Sequence, residues 1–197
     1  MGSQYVRGYT APMTNFDRIA SFYQSYIEQI SISVDSIVSA TSEAADAATT
    51  AIFEERKLIV CGLGVDSAPA TLLSELLRNG LRADRPALPT IELISRFATP
   101  REGSVNWLSQ QLTVLGQPQD MAIIFASELD PADVDLILNA INKRSMNIFW
   151  IGAAGPHGHL CFDRCDPKVS LSLYHSAAIC LADLIEVAMF GPMEEYP

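Results

Sequence analysis

The segment that most constrains the fold of this chain is residues 58–67, which read Leu-Ile-Val-Cys-Gly-Leu-Gly-Val-Asp-Ser. An apolar run ends there at two glycines and then meets short polar side chains that favour the start of a helix. This order is typical of a buried parallel strand that turns into a helix whose first N–H groups face a ligand pocket. We therefore predict a strand at residues 58–61, a helix at residues 68–79 and a pocket between them.

The rest of the chain alternates between short apolar runs and amphipathic stretches. The predicted strands are residues 58–61, 90–94, 120–126, 147–151 and 160–163, and the predicted helices are residues 68–79, 107–115, 130–143 and about 166–190. This alternation predicts a single α/β domain over residues 1–197, with a core at residues 58–190 and a five-stranded parallel sheet that carries helices on both faces. In such folds the binding sites lie at the carboxyl ends of the strands.

Residues 15–57 precede this core and show apolar side chains at three- and four-residue spacing, which is typical of amphipathic helix. Asn15 and Asp17 are plausible start signals, and residues 41–43 (Thr-Ser-Glu) favour a break and a new cap. We expect two N-terminal helices that form an antiparallel pair and also take part in oligomer contacts.

Composition excludes several functional classes. Apolar residues make up 49% of the chain and charged residues 18%, which is typical of a globular protein. We see no uninterrupted apolar run of the ~18 residues that span a membrane, and no signal peptide. The net charge of −10, without a Lys/Arg cluster, disfavours direct nucleic-acid binding but is compatible with a basic protein partner. We therefore expect a cytoplasmic protein.

The cysteines and glycine motifs do not indicate a cofactor. Cys161 and Cys165 form a single CxxxC pair with no second pair, so we expect no metal site. A dinucleotide fingerprint needs a third glycine where Ser67 stands, and the chain contains no GKS or GKT of a P-loop. We predict that the chain uses no cofactor.

Four segments together carry a resemblance to a known family: CGLGVDSAPATLLSELLRNG at residues 61–80, DRPALP at residues 84–89, LGQPQD at residues 115–120 and CLADLIEVAMF at residues 180–190. In order and spacing they resemble the sugar isomerase (SIS) domain family, in the branch of phosphoheptose isomerase and the DnaA initiator-associating proteins. The resemblance implies a three-layer α/β/α sandwich with N-terminal helices, a homotetramer whose sites form between subunits, and a sugar phosphate or another carbohydrate derivative as ligand.

The family's phosphate-binding loops map onto Gly62, Gly64, Asp66, Ser67, Ser127 and Glu128 of this chain. The resemblance places Asp66 where the family carries a phosphate-binding serine, although Ser67 follows directly. In the second loop only Ser127 keeps a hydroxyl, and Glu128 follows it. Two carboxylates beside a bound dianion cost on the order of kcal/mol each, so we expect this pocket to be unsuited to phosphate.

The family's catalytic pair is also incomplete. Glu75 falls at the position of the catalytic glutamate, whereas Ile179 stands in place of the partner histidine, and the helper positions hold Leu72, Leu171 and Tyr174. Proton transfer between two carbons needs two positioned acid–base groups. His175 lies four residues before Ile179 on the same helical face, which leaves a displaced acid as an alternative.

Simpler interpretations stand beside these. Asp66 and Asp130 have the residue type of helix N-caps, Glu75 that of a helix-surface carboxylate, and His175 that of a polar helix residue. His157 and His159 read as solvated loop histidines. Residues 95–104 read as a loop that does not reproduce the substrate loop of the family.

The sequence thus predicts a non-catalytic SIS protein that acts as a scaffold, with DnaA at replication initiation as the partner that the resemblance implies. Met189 and Phe190 match an apolar pair of the DnaA-engaging surface in this branch. The alternatives are a sugar-phosphate isomerase acting on sedoheptulose 7-phosphate or a relative, and a sensor for a less anionic carbohydrate derivative.

Overall fold

A computed structural model describes residues 13–81, 84–95, 102–152, 160–162 and 165–192. Five α-helices and four β-strands alternate along the chain, and a single 3-10 turn, Gly64–Asp66, follows the first strand in this part of the chain. The elements are α1 Asn15–Phe53, β1 Leu58–Gly62, α2 Ser67–Asn79, β2 Thr90–Ile94, α3 Glu102–Leu115, β3 Met121–Phe125, α4 Pro131–Lys143, β4 Asn147–Ile151 and α5 Pro167–Phe190.

The strands form one parallel sheet in the order β2-β1-β3-β4. Successive residues of a strand point to opposite faces, so each strand feeds two cores. One core contains Val60 with the buried faces of α1, α2 and α5. The other contains Cys61 with α3 and α4. The predicted α/β sandwich around a parallel sheet is confirmed.

The predicted fifth strand at residues 160–163 is wrong for the residues that the structure describes there. Leu160 forms only an isolated parallel bridge to Ile151 at the edge of the sheet. The ring of Phe162 then packs on Tyr174 of α5, with ring centroids 5.4 Å apart. Because this contact directs Phe162 into the helix-covered core, the chain leaves the sheet edge after one bridge.

The predicted pair of N-terminal helices is also wrong, because α1 is one continuous helix of 39 residues. Thr14 and Asp17 form a capping box at its start, with the Thr14 side chain accepting from the Asp17 N–H. Thr41, at the expected break, is buried inside the helix. The helix continues through it because Ala40 and Ala44 on either side pack in the core that α5 shares.

Besides the side chains that pack in the core, the first part of α1 carries an apolar stripe that no described part of the protomer covers. At 100° per residue its members fall within an arc of about 100° on one face of the helix. They are Phe16, Ile19, Tyr23, Ile27, Val34 and Val38, and all are exposed.

Helix α5 contains a long apolar stretch. By length and composition alone it is apolar enough to cross a membrane, a property that it shares with core helices of soluble proteins. Its buried side chains, among them Leu173, Ala177 and Leu181, belong to the core that it forms with α1 and α2.

Two ion pairs close the edge of the sheet where the strands begin. Asp120 is fully buried and pairs with the Lys57 ammonium, while it also accepts the N–H groups of Lys57 and Gln117. Arg85 and Glu186 are 3% and 2% exposed and pair through Nε and Oε2 at 3.0 Å. Neither ion pair was predicted from the sequence.

Candidate functional site

The loop between β1 and α2 is shaped by its two glycines. A Cβ on Gly62 would lie 2.6 Å from the Ser67 Cα, so only glycine lets α2 start this close to β1. Gly64 has φ +63°, a left-handed conformation that glycine adopts without strain. The Leu63 N–H donates to the Phe125 carbonyl at the end of β3. The loop therefore turns back over the end of the neighbouring strand.

The loops after β1 and β3 diverge at the topological switch point of the sheet. From β1 the chain proceeds to β2 on one side, whereas β3 and β4 lie on the other side. The crevice at such a point is where parallel α/β proteins bind ligands. Asp66 and Ser127 face each other across it.

The carboxylate of Asp66 is bound inside this crevice. Its Oδ2 accepts the backbone N–H of Ser127 at 2.7 Å, and the residue is only 4% exposed. Burial raises the pKa of Asp66 above its usual value; hydrogen bonds from the Ser127 N–H and side chain oppose the rise, Glu128 adds to it, and His175 opposes it. Asp66 is thus a buried acid held by Ser127.

The side chain of Asp66 does not cap α2. Asp66 directly precedes α2, but its carboxylate makes no capping hydrogen bond to that helix. Asp130 occupies the N-cap position of α4 before Pro131, and its side chain likewise makes no capping bond. Capping therefore does not account for either aspartate, and the Asp66 carboxylate reaches the end of β3 instead.

Helix α5 brings Tyr174 and His175 to the same crevice. Tyr174 is buried, and burial raises its pKa to about 12, while a hydrogen bond with the Ser127 side chain opposes the rise. The Nδ1 of His175 lies 2.8 Å from the Leu171 carbonyl, one turn earlier in α5. From the sequence, Tyr174 was predicted only to replace a helper histidine; its place next to His175 on α5 was the sign that it also reaches the crevice.

Of the other predicted ligand-binding residues, Ser67 and Glu128 have different surroundings. The Ser67 hydroxyl donates to the Gly64 carbonyl at 2.7 Å and so serves its own loop. Glu128 lines an open cavity of about 300 Å³ together with Leu129, Asp130 and Asp133. The structure therefore brings Asp66, Ser127 and Glu128 together at an edge that is rich in carboxylates.

The predicted catalytic glutamate lies elsewhere. Glu75 is exposed on α2, accepts a hydrogen bond from the Asn79 side chain at 2.8 Å and lies 3.5 Å from the Arg78 guanidinium. Ile179 is also exposed, on α5. Among the described residues of one protomer, the hydrogen bond and ion pair of Glu75 go to Asn79 and Arg78 and not to the cluster of Asp66, Ser127 and His175.

The predicted partner-binding pair lies at the end of α5. Met189 is partly buried against the core. Phe190 is 40% exposed, and the guanidinium of Arg85 lies over its ring at 5.1 Å from the centroid. A cation over an aromatic face is attracted by the ring, so Arg85 orients the exposed Phe190.

Some predictions concern residues that the structure leaves undescribed. His157, His159 and residues 96–101 of the predicted loop lie outside the described residues. Helix α3 already begins at Glu102, within the predicted loop. In the described part of the chain, no group of three or more His, Cys, Asp or Glu side chains is placed to hold a metal ion.

Comparison with known proteins finds relatives at modest sequence identity. No protein-family model matches the chain. A phosphoheptose isomerase of Chromohalobacter salexigens is 29% identical over 73% of this chain and 80% of its own length. A DnaA initiator-associating protein DiaA of Pectobacterium carotovorum is 23% identical over 88% of this chain and 96% of its own length.

The solved structures agree in fold. A phosphoheptose isomerase of Francisella tularensis superposes with a TM-score of 0.72 and 18% identity over 88% of this chain and 98% of that chain. One of Neisseria gonorrhoeae gives a TM-score of 0.72 and 16% identity over 88% and 99%. The architecture is that of these phosphoheptose isomerases. The chain is thus similar in sequence to phosphoheptose isomerases and to a DiaA protein, at modest identity, and it shares the fold of the former.

Proposed function

We propose that this protein is a non-catalytic, cytoplasmic SIS-domain scaffold that acts through protein–protein contacts, with DnaA as its partner at replication initiation. The observation that carries the proposal is the buried carboxylate of Asp66 in the switch-point crevice, bound to the Ser127 N–H. The amide that faces the crevice there already has an anionic partner within the chain.

Electrostatics supports this proposal. Two unit negative charges 5 Å apart repel by about 3 kcal/mol at an effective dielectric constant of about 20. A phosphate dianion in the crevice would meet this repulsion from Asp66 and from Glu128, which itself acts on Asp66. Among the described residues, no Lys or Arg forms an ion pair with either carboxylate. The crevice therefore disfavours the dianionic substrate of a sugar-phosphate isomerase.

The positions of the acid–base groups support the same conclusion. An aldose–ketose isomerisation moves a proton between neighbouring carbons and needs two positioned groups. Glu75 is engaged with Arg78 and Asn79 at the surface, and Ile179 has no group that exchanges a proton. His175 is the remaining histidine among the described residues, and it lies beside Asp66.

The scaffold is proposed to be a homo-oligomer, a tetramer as in the family pattern, assembled through the exposed stripe of α1. The stripe runs from Phe16 to Val38 over about 33 Å of helix. We expect Ile27→Glu to lower the molar mass measured by light scattering after gel filtration. Ile32→Glu is the matched control, because Ile32 is also exposed but lies outside the stripe. Equal masses for the two variants would contradict this interface.

Binding to DnaA is the direct test of the partner. Purified protein and DnaA are expected to associate in sedimentation, and Phe190→Ala is expected to weaken the association. Val114→Ala, which removes an apolar side chain that is 73% exposed on α3, serves as the control. Absence of association with the wild-type protein would refute the partner assignment.

The alternative function is a phosphoheptose or related sugar-phosphate isomerase, and the name of the relative that is 29% identical favours it. Calorimetric titration with sedoheptulose 7-phosphate and hexose phosphates separates the two, together with an assay of turnover. We expect neither heat of binding nor turnover. Turnover that is lost in Glu75→Gln would establish the enzyme instead, and stabilisation by an uncharged sugar in a thermal-shift screen would indicate a sensor.

A further inference from the structure

The Asp66 carboxylate is held by hydrogen-bond donors of a distant loop, as a bound anion would be, and not by donors of its own helix. Its hydrogen bond to the Ser127 N–H joins residues 61 positions apart, and it links the loop after β1 to the loop after β3. The 2.7 Å distance is typical of a charge-assisted bond. A second donor, the Ser127 side chain, acts on the same carboxylate.

The backbone of the first loop is built to deliver this carboxylate. Gly62 lets α2 approach β1, and Gly64 supplies the left-handed turn just before Asp66. Asp66 itself has φ −73°, which any residue adopts, so the backbone does not require aspartate at this position. The residue type is explained by what the side chain binds.

We propose that Asp66 is a built-in ligand, whose carboxylate fills a small-oxyanion site at the switch point and holds the two loops together without a bound sugar phosphate. The inference rests on the proposed function, because it concerns the crevice that the scaffold no longer uses for substrate. The site that remains beneath the side chain takes a small oxyanion such as a carboxylate or a phosphate.

The charged and polar groups around Asp66 are the ones that would contact an anion bound in its place. Glu128 faces Asp66 from the loop after β3, while His175 and Tyr174 face it from α5. Among the described residues, no Lys or Arg pairs with Asp66. Among the described residues, the donors for the anion are thus the N–H and the hydroxyl of Ser127.

The test is chemical rescue. Asp66→Ala deletes the carboxyl group, and formate is that same group as a free anion. At constant ionic strength, with chloride as the reference anion, formate is expected to raise the Tm of Asp66→Ala by about 3–6 °C at ten times its Kd. The wild-type protein is expected to show no rise beyond that in chloride.

Asp66→Asn is the matched control, because it removes the same charge but still fills the space and still offers an oxygen to the Ser127 N–H. No formate effect is expected for it. Rescue of Asp66→Ala alone supports the proposal, while no rescue, equal rescue of both variants, or an equal effect on the wild type overturns it. Inorganic phosphate is run in parallel, and a selective rise with either anion supports the site.

Hydrogen exchange of the Ser127 amide is a second measurement of the same site, and it does not depend on Tm. The amide is expected to exchange faster in Asp66→Ala and to regain protection in formate, and unchanged exchange would overturn the proposal. Asp66→Ser supplies the same measurement if the alanine variant does not fold. Turnover by the wild-type protein would refute the proposed function, whereas failed rescue refutes only the role of Asp66.

Discussion

The two ends of the central strand pair, β1 and β3, are each joined by a buried aspartate, but in different ways. Where the strands begin, Asp120 accepts two backbone N–H groups and pairs with the Lys57 ammonium. Where they end, Asp66 accepts the Ser127 N–H, and no Lys or Arg among the described residues pairs with it. Among the described residues, the buried aspartate at one edge of the sheet is paired with a cation, whereas the one at the other edge has no Lys or Arg partner.

The difference separates structural from functional use of charge. A buried carboxylate with a cation and several donors is a satisfied part of the framework. A buried carboxylate without a cation costs stability, and proteins keep such arrangements mainly at functional sites. Arg85 and Glu186 belong with Asp120 at the paired edge, whereas Glu128 belongs with Asp66 at the unpaired edge.

The largest effect is expected from Arg85→Ala at the paired edge. The variant removes a buried guanidinium from Glu186 and the donors to the Leu76 and Leu77 carbonyls. We expect the free energy of unfolding in urea to fall by about 3–5 kcal/mol. Arg78→Ala, which breaks a more exposed pair with Glu92, is the control and should cost about 1 kcal/mol or less. Similar losses would contradict the contrast in burial.

A somewhat smaller loss is expected from Asp120→Ala. The Lys57 and Gln117 N–H groups lose their acceptor, but the Lys57 side chain is 21% exposed and can turn towards water. We expect a loss of about 2–4 kcal/mol in the same urea experiment. Asp120→Asn keeps an acceptor and should lose less; an equal loss would show that charge alone holds this edge.

At the unpaired edge, Asp66→Asn tests the sign of the charge effect. The pKa of Asp66 is raised in the folded protein, so the folded state disfavours the ionised form. The penalty is absent below the unfolded pKa and fully present above the folded pKa. The stability of Asp66→Asn relative to the wild type should therefore increase as pH rises through this window.

Urea unfolding at pH 4 and pH 7 measures this change. Ser67→Ala is the control, because it removes a hydroxyl from the same loop without removing an acid. Its difference from the wild type should be equal at the two pH values. A relative stability of Asp66→Asn that falls with pH would mean that the crevice stabilises the carboxylate.

The smallest effect is expected from Glu75→Ala, which removes a carboxylate that has only exposed partners on α2. The free energy of unfolding should change by about 0.5 kcal/mol or less. A loss above 2 kcal/mol at a concentration where the oligomer forms would place Glu75 in a subunit contact.

Much of the core architecture was predictable because local patterns determine it. The bounds of β2 and β4 agree with the predicted residues 90–94 and 147–151. These strands are short apolar runs between turns, a strong local signal. The break expected at residues 41–43 failed because α1 is stabilised by packing on α5, which residue type at one position does not report.

The location of the candidate site was predictable from the sequence, but the hydrogen bonds within it were not. Gly62 and Gly64 marked the turn, while the bond from Ser127 to Asp66 depends on two loops 61 positions apart. The pair of Arg85 and Glu186, 101 positions apart, was missed for the same reason. A signal existed, since Glu186 interrupts the apolar stretch at the end of α5, and a charge there needs a buried partner.

Because Asp66 is covalently part of the chain, its carboxylate competes with any free anion for the switch-point crevice. A tethered group is present at a fixed effective concentration, on the order of millimolar or higher, and it cannot be diluted. A free sugar phosphate would have to displace a competitor that never diffuses away. Under this proposal, the loops at the switch point keep one arrangement while metabolite levels in the cell rise and fall.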